Sequence, residues 1–342
     1  PDTADRPGKP AAEILLGMVD KAQQAHIVSQ LVVGIQAQGS EVLFATVVLH
    51  LAVDPIRVTL IVGVGQIGRV VCLGMMQTGR QRHFQIRAEI QRPAPSQGLA
   101  IGLRLIAVTD TSPGYPLMAD PAMRRATCAA LRETGLRVHD IEFVKLTPET
   151  DPAGLQSFLD AGAELGASEV ITAPYDPDLS RLADRLGALS ELAAARGLGV
   201  SLEFFPWTVV PDLGAALRLV EGAAPDVGIL VDSLHFDRSQ SRLADLRHIP
   251  SRRLRFAHLC DALVAPPYST QQLLHAGRAE RLLPGEGDID LAGFLSALPQ
   301  DLPLALEVPM TRRTAELGPE AVIRHVFAAT SGFLAAQDSS SS

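Results

Sequence analysis

GVSLEFFPWTVVPDLGAALRLVEGAAPDVGILVDSLH, residues Gly199–His235, is the stretch that decides the fold. Two apolar strand-like runs each end in a carboxylate. Val200-Ser201-Leu202 leads to Glu203, and Gly228-Ile229-Leu230-Val231 leads to Asp232, with His235 three residues on. Between them Leu213 to Val220 is apolar at helical spacing. Strand, helix, strand implies a parallel pair, because parallel strands need a crossover and the crossover is usually a helix. An acid at the end of a buried strand is costly unless it is paired or binds a cation.

The same rhythm extends outward from this unit. Strand-like runs are expected at Ile101–Val108, Val138–Leu146, Glu169–Ala173, Val200–Phe204, Val227–Val231, Leu254–Leu259 and Leu302–Val308. Helices are expected at Pro121–Thr134, Pro152–Leu165, Leu179–Arg196, Pro211–Gly222, Leu291–Leu298 and Pro319–Ala336. Asp120 and Asp151 precede prolines, as N-caps do. Gly197 and Gly222 stand where helices stop. Seven strands alternating with helices read as an α/β protein, either a (β/α) barrel or a doubly wound sheet.

The composition divides the chain near residue 100. Residues 1–100 hold eleven Gln and a net charge of +2, whereas residues 101–342 hold six Gln and a net charge of −10. In the first part Ala22–Ile35 suggests a helix, and Glu41–Val53 and Ile56–Val64 suggest buried strands. Asp338–Ser342 reads as a disordered tail. The overall charge of −8 opposes nucleic acid as the main partner. The longest apolar run, Val42–Val53, is too short to span a bilayer. Cys72, Cys128 and Cys260 form no CxxC, so a reduced cytoplasmic setting is expected, with no basic-then-apolar leader in the first ten residues.

In a barrel, reacting groups gather at the C-terminal ends of the strands. Glu203, Asp232, His258 and Glu307 occupy those ends on four consecutive strands. Side-chain alternation puts Ser201 with Glu203, Leu230 with Asp232, Phe256 with His258 and Ala305 with Glu307. Two Glu, one Asp and one His make an oxygen-rich set suited to one divalent ion, Mn²⁺, Mg²⁺ or Co²⁺, rather than a structural zinc.

The segments GLRLI (102–106), LEFFPWT (202–208), Asp232-Ser-Leu-His235 with Phe236 and Arg238, AHLCDA (257–262), LPGEGDIDL (283–291) and LEVP (306–309) resemble the sugar phosphate isomerase/epimerase family of xylose-isomerase-like barrels. The resemblance covers residues 101–310 and implies an eight-stranded (β/α)8 barrel over 101–337. It implies that Glu203, Asp232, His258 and Glu307 hold one divalent metal. It further implies that Glu203 and Glu307 move protons and that His235 contacts substrate oxygens. It places a substrate-contacting arginine in the loop that carries both Arg278 and Arg281. The front of the chain departs from the family. Val58–Gly65 and Gly68–Met76 are the candidates for a first strand and helix, so residues 1–100 are read as an atypical region that supplies or replaces the first unit.

Gly63-Val64-Gly65-Gln66-Ile67-Gly68 matches GxGxxG, with Glu89 downstream. The match is isolated and no second mononucleotide half follows, so a plain glycine-rich turn is preferred and no nicotinamide cofactor is expected. Arg124-Arg125 and Arg252-Arg253 read as solvated charges, and Glu142 as a partner for Arg104. The expected activity is metal-dependent isomerisation or epimerisation of a sugar or related polyol through an enediolate. The alternatives are a dehydratase of a keto-polyol or dehydroshikimate-like acid and a degenerate barrel acting as a binding module. The expected partner is a small molecule, with no nucleic acid or membrane and with a homo-oligomer left open.

Overall fold

A computed structural model describes residues 28–38, 41–53, 56–65, 70–77, 87–90, 100–108 and 114–340. The strands are β1 (Val28–Gln38), β2 (Glu41–Val53), β3 (Ile56–Gly65), β4 (Val70–Gln77), β5 (Arg87–Ile90), β6 (Ala100–Arg104), β7 (Arg137–Leu146), β8 (Glu169–Pro174), β9 (Gly199–Glu203), β10 (Val227–Asp232), β11 (Leu254–Leu259) and β12 (Leu304–Glu307). The helices are α1 (Pro121–Thr134), α2 (Gln156–Leu165), α3 (Leu179–Ala194), α4 (Leu213–Ala223), α5 (Ser233–Arg238), α6 (Leu243–Arg247), α7 (Thr270–Arg278), α8 (Leu291–Ala297), α9 (Thr311–Leu317) and α10 (Pro319–Ser340).

The seven strands β6–β12 pair in parallel and in sequence order. They correspond to the seven strand-like runs, and the helices between them form a (β/α) barrel wall. Local chemistry sets the helix boundaries. Asp120 accepts from the Met123 amide and Asp212 from the Ala215 amide, satisfying donors that the first turn leaves free. Along α3, Leu182, Leu186, Leu189 and Ala193 are buried at spacings of four, three and four, which is the stripe a helix lays on a sheet.

Two apolar clusters sandwich the sheet. The larger lies between strands and helices. The smaller, Phe143, Ile171, Ala173, Phe205, Leu230, Phe256 and Ala305, fills the concave side of the strands. Leu230, Phe256 and Ala305 thus share the inner face with Asp232, His258 and Glu307 two residues further on, as alternation requires.

The N-terminal strands differ from expectation. β1 to β5 form antiparallel ladders, and β5 runs antiparallel along β12, with Leu304 opposite Ile90 and Glu307 opposite Arg87. Val58–Gly65 lies between β2 and β4 rather than serving as a parallel first strand. The segment expected as its helix, Gly68–Met76, is strand β4 from Val70 onward. Adjacent β-branched residues such as Val70-Val71 favour extended backbone. Val28–Gln38 is likewise a strand where a helix was expected over Ala22–Ile35, of which Ala22–Ile27 lie outside the described residues. The sheet curls so that β6, at its far edge, comes back near β4 and β5. Of the GxGxxG stretch, Gly63–Gly65 end β3, and Gln66–Gly68 lie outside the described residues.

At the other end α10 continues to Ser340, through the Asp338 where a disordered tail was expected. Ala335 and Ala336 are strong helix formers that carry the helix onward. No helix among the described residues is long and apolar enough to cross a membrane.

Candidate metal centre

Four parallel strands deliver four ligand-type side chains to one point. Glu203 ends β9, Asp232 ends β10, His258 lies on β11 and Glu307 ends β12. One ligand atom from each falls within 4.8 Å of all the others, and all four residues are buried. His258 Nδ1 is 3.2 Å from Glu307 Oε2, 3.6 Å from Asp232 Oδ2 and 3.7 Å from Glu203 Oε1.

Asp232 is fixed from two sides. Its Oδ1 accepts from the amides of Leu234 and His235, capping α5, while its Oδ2 turns to the cluster. That cap sets His235 on the first turn of α5, with Nε2 3.7 Å from Glu203 Oε1. The His235 ring stands edge-on to Phe205 and Trp207 at 4.7 and 5.2 Å.

Arg281 is buried against the cluster. It donates to Asp232 Oδ2 at 2.7 Å, to Glu307 Oε2 at 3.1 Å and to the Glu307 carbonyl at 3.0 Å. Arg278, in the last turn of α7, is solvent-exposed and lies outside this cluster. Spacing left both arginines open; the fold brings Arg281 to the carboxylates.

Three carboxylates and one guanidinium leave negative charge in a buried place. Burial pushes Glu203 well above the usual carboxylate range, and Glu307 and Asp232 add to that. Burial also opposes ionisation of Asp232, but Arg281 and His235 outweigh it and hold that carboxyl well below its ordinary value. Burial pushes His235 down to about 4, so its imidazole is neutral at pH 7. Glu203 Oε1 is buried with no hydrogen-bond partner, a costly state for a carboxylate oxygen unless something else meets it. An orphaned oxygen beside two carboxylates and an imidazole fits a divalent ion.

Sequence reasoning passed over the residues that hold Arg281. Asp261 is buried and accepts from the amides of Gly285, Gly287 and Ile289, which folds the LPGEGDI segment around it. Asp261 and Leu282 also exchange both backbone hydrogen bonds, next to Arg281. A Cβ on Gly287 would lie 2.4 Å from Asp261 Oδ1 and 2.6 Å from the Ala262 carbonyl, so only glycine fits there. Cys260 Sγ lies 3.3 Å from Arg281, and burial pushes its thiol up to about 12. The available signal was the run of acids and glycines in AHLCDA and LPGEGDIDL.

Two other expectations resolve differently. Arg104 pairs with Glu142 at 3.0 Å as expected. Arg253, expected in solvent, is buried and donates to the carbonyls of Ala224 and Val227, because the turn before β11 tucks it under β10.

A family model described as xylose isomerase-like TIM barrel matches residues 98–329. A 3-dehydroshikimate dehydratase of Pseudomonas putida is 32% identical over 136 residues, which is 38% of this chain and 21% of that protein. An inosose isomerase of Bacillus velezensis is 28% identical over 155 residues, 42% of this chain and 53% of that protein. The matched parts thus span about a fifth and about half of these relatives. Among solved structures, the crystal structure of the IOLI protein with a bound zinc atom superposes with a TM-score of 0.58. It is 19% identical, covering 70% of this chain and 88% of that one.

Proposed function

Because the chain belongs to the xylose isomerase-like TIM barrel family, we propose that it is a divalent-metal-dependent isomerase or epimerase of a sugar or related polyol ketone. The observation that carries this is the convergence of Glu203, Asp232, His258 and Glu307 within 4.8 Å, with an unpartnered Glu203 oxygen. These four residues would hold the metal. When bound, the ion supplies positive charge against substrate oxygens; Mn²⁺, Mg²⁺ or Co²⁺ suits the donors, and zinc is the ion named for the IOLI structure.

The chain's own residues then do the proton work. Glu203, held above the usual carboxylate range, is a suitable base for a C–H beside a carbonyl. Glu307, on the other side of His258, delivers a proton of its own to the enediolate, and exchange with solvent then takes the proton from Glu203 and restores the one on Glu307. Neutral His235 hydrogen-bonds a substrate oxygen, with Phe205 and Trp207 fixing its ring. Arg281 holds Asp232 and Glu307 in place and offsets one negative charge. The same abstraction followed by loss of hydroxide is a dehydration. The dehydratase relatives, at 32% and 36% identity, favour that second reading.

The reading includes a small-molecule substrate, a cytoplasmic setting and a division of the chain near residue 100. It is tested by incubating ketoses, keto-cyclitols and cyclic keto acids with the protein and Mn²⁺ in D₂O, followed by NMR. Solvent deuterium at the carbon beside the carbonyl, abolished by chelator, is expected. Exchange without loss of water means isomerase, and loss of water means dehydratase. Exchange that survives complete metal removal contradicts the proposal, as does no exchange with any substrate class.

A further inference from the structure

The last paired residues of β10 and β11 are Asp232 and His258, two of the four ligand-type residues. Beyond them the chains part. β10 gives way to α5 at Ser233, whereas β11 runs on to Leu259, with Cys260 next. A helical backbone aims its amides and carbonyls along its own axis, so the ladder stops at Ser233.

The Ser233 side chain adds the rung that the backbone does not. Its hydroxyl donates to the Cys260 carbonyl and accepts from the Cys260 amide, both at 2.9 Å. Ser233 and Cys260 are fully buried. With its hydroxyl taken twice over by backbone, Ser233 is not itself a ligand. The tie reaches the ligands from two directions. Ser233 adjoins Asp232 in the chain, and Cys260 stands two residues after His258. The Cys260 sulfur is 3.5 Å from the Ser233 hydroxyl oxygen and 3.3 Å from Arg281 Nη1, which lies 2.7 Å from Asp232 Oδ2. Ser233, Cys260, Arg281 and Asp232 thus close a ring of contacts beside the ligand cluster.

We infer that Ser233 is a positioning residue for the metal ligands: its hydroxyl locks the end of β10 to the end of β11 and so fixes Asp232 against His258. The inference rests on the proposed function for the identity of the ligands. Without the hydroxyl, the Cys260 amide and carbonyl lose that partner where burial makes the loss costly, and the strand ends shift to satisfy them. Asp232 and His258 move with those ends. Bonds that orient ligands in this way typically carry about 10–100-fold in metal affinity.

The test is calorimetric titration of Mn²⁺ into the chelator-treated, full-length protein. Ser233→Ala should weaken binding by about tenfold or more. Thr330→Val is the control: it removes a buried hydroxyl-to-carbonyl bond within α10, to Val326, and should leave the affinity near wild type. The visible absorption of the Co²⁺-loaded protein should change in Ser233→Ala and not in Thr330→Val, because it reports the arrangement of the ligands. If Ser233→Ala does not fold, Ser233→Cys, which fills the place and bonds more weakly, is read in the same way. Unchanged affinity and absorption without the hydroxyl overturn the inference. An equal loss of affinity in Thr330→Val overturns it too, since any loosening of the fold would then suffice. A wild type that takes up no Mn²⁺ overturns both the inference and the proposed function. The two otherwise separate: Ser233-dependent affinity with no deuterium exchange on any substrate class keeps the positioning role and removes the chemistry. Metal-dependent exchange with an affinity indifferent to Ser233 does the reverse.

Discussion

Glu203 carries the most consequence of any single residue. It is buried, one of its oxygens has no hydrogen-bond partner, and its carboxyl is held above the ordinary range. Glu203→Gln keeps the shape and removes the base. Deuterium exchange should fall by about 10²–10⁴-fold while circular dichroism and melting stay near wild type; near-wild-type exchange would remove Glu203 from the reaction. The raised carboxyl also links metal to protons. An ion must displace the Glu203 proton, so metal affinity should rise with pH across the window above the usual carboxylate range. Calorimetric titration in two buffers of different ionisation enthalpy should show proton release near neutral pH. An affinity that is flat across that window would contradict this.

At the scale of the element, the two ends of the parallel strands behave differently. Glu169 opens β8, at the end away from the ligand cluster. Its carboxylate accepts from Ser201 Oγ at 3.1 Å and lies 3.4 Å from Arg255, yet burial pushes it up to about 7. The folded state then holds a proton that the unfolded chain, with the ordinary glutamate value of 4.5, has already released. Stability should therefore fall as pH rises from about 4.5 to about 7 and be level above that. Glu169→Gln removes the dependence. Its stability relative to wild type should improve by up to about 3 kcal/mol between pH 4.5 and pH 8, measured by urea unfolding at both pH values. Equal differences at the two pH values would show that Glu169 does not titrate in this window. At the ligand end, Gly287→Ala forces a methyl against Asp261 and the Ala262 carbonyl. The loop beside Arg281 must shift, so metal affinity and turnover should fall together, about tenfold or more. Unchanged metal affinity would mean the loop absorbs the methyl without moving Arg281.

For the whole molecule, the antiparallel strands meet the barrel wall along one edge. β5 covers β12, and an uncovered strand edge invites pairing with other chains. A chain beginning at residue 98 exposes that edge next to Glu307. It should associate or precipitate, and it should bind metal more weakly than the full chain. Light scattering and metal content check both. A monodisperse truncated chain with full metal content would show that β5 contributes nothing to the edge or the site.

The sequence by itself determined the strand and helix rhythm of residues 100–336 and the four converging residues. Both are local properties. Alternation along Val200–Glu203 or Gly228–Asp232 fixes which face a carboxylate takes, and parallel strands of one direction place their ends together. Helix caps such as Asp120 are equally local. Only the tertiary structure decided the rest. Arg278 and Arg281 stand three residues apart with the same chemistry, and nothing in their spacing says which reaches Asp232, 49 residues away from Arg281. An apolar run such as Val58–Gly65 specifies an extended backbone but not the direction of its neighbour, because both pairings satisfy the same amides and carbonyls. The burial of Arg253 and the convergence of three loop amides on Asp261 likewise depend on contacts across 24 to 29 positions. Such contacts form when the sheet closes over its core, and residue type and local spacing do not encode them.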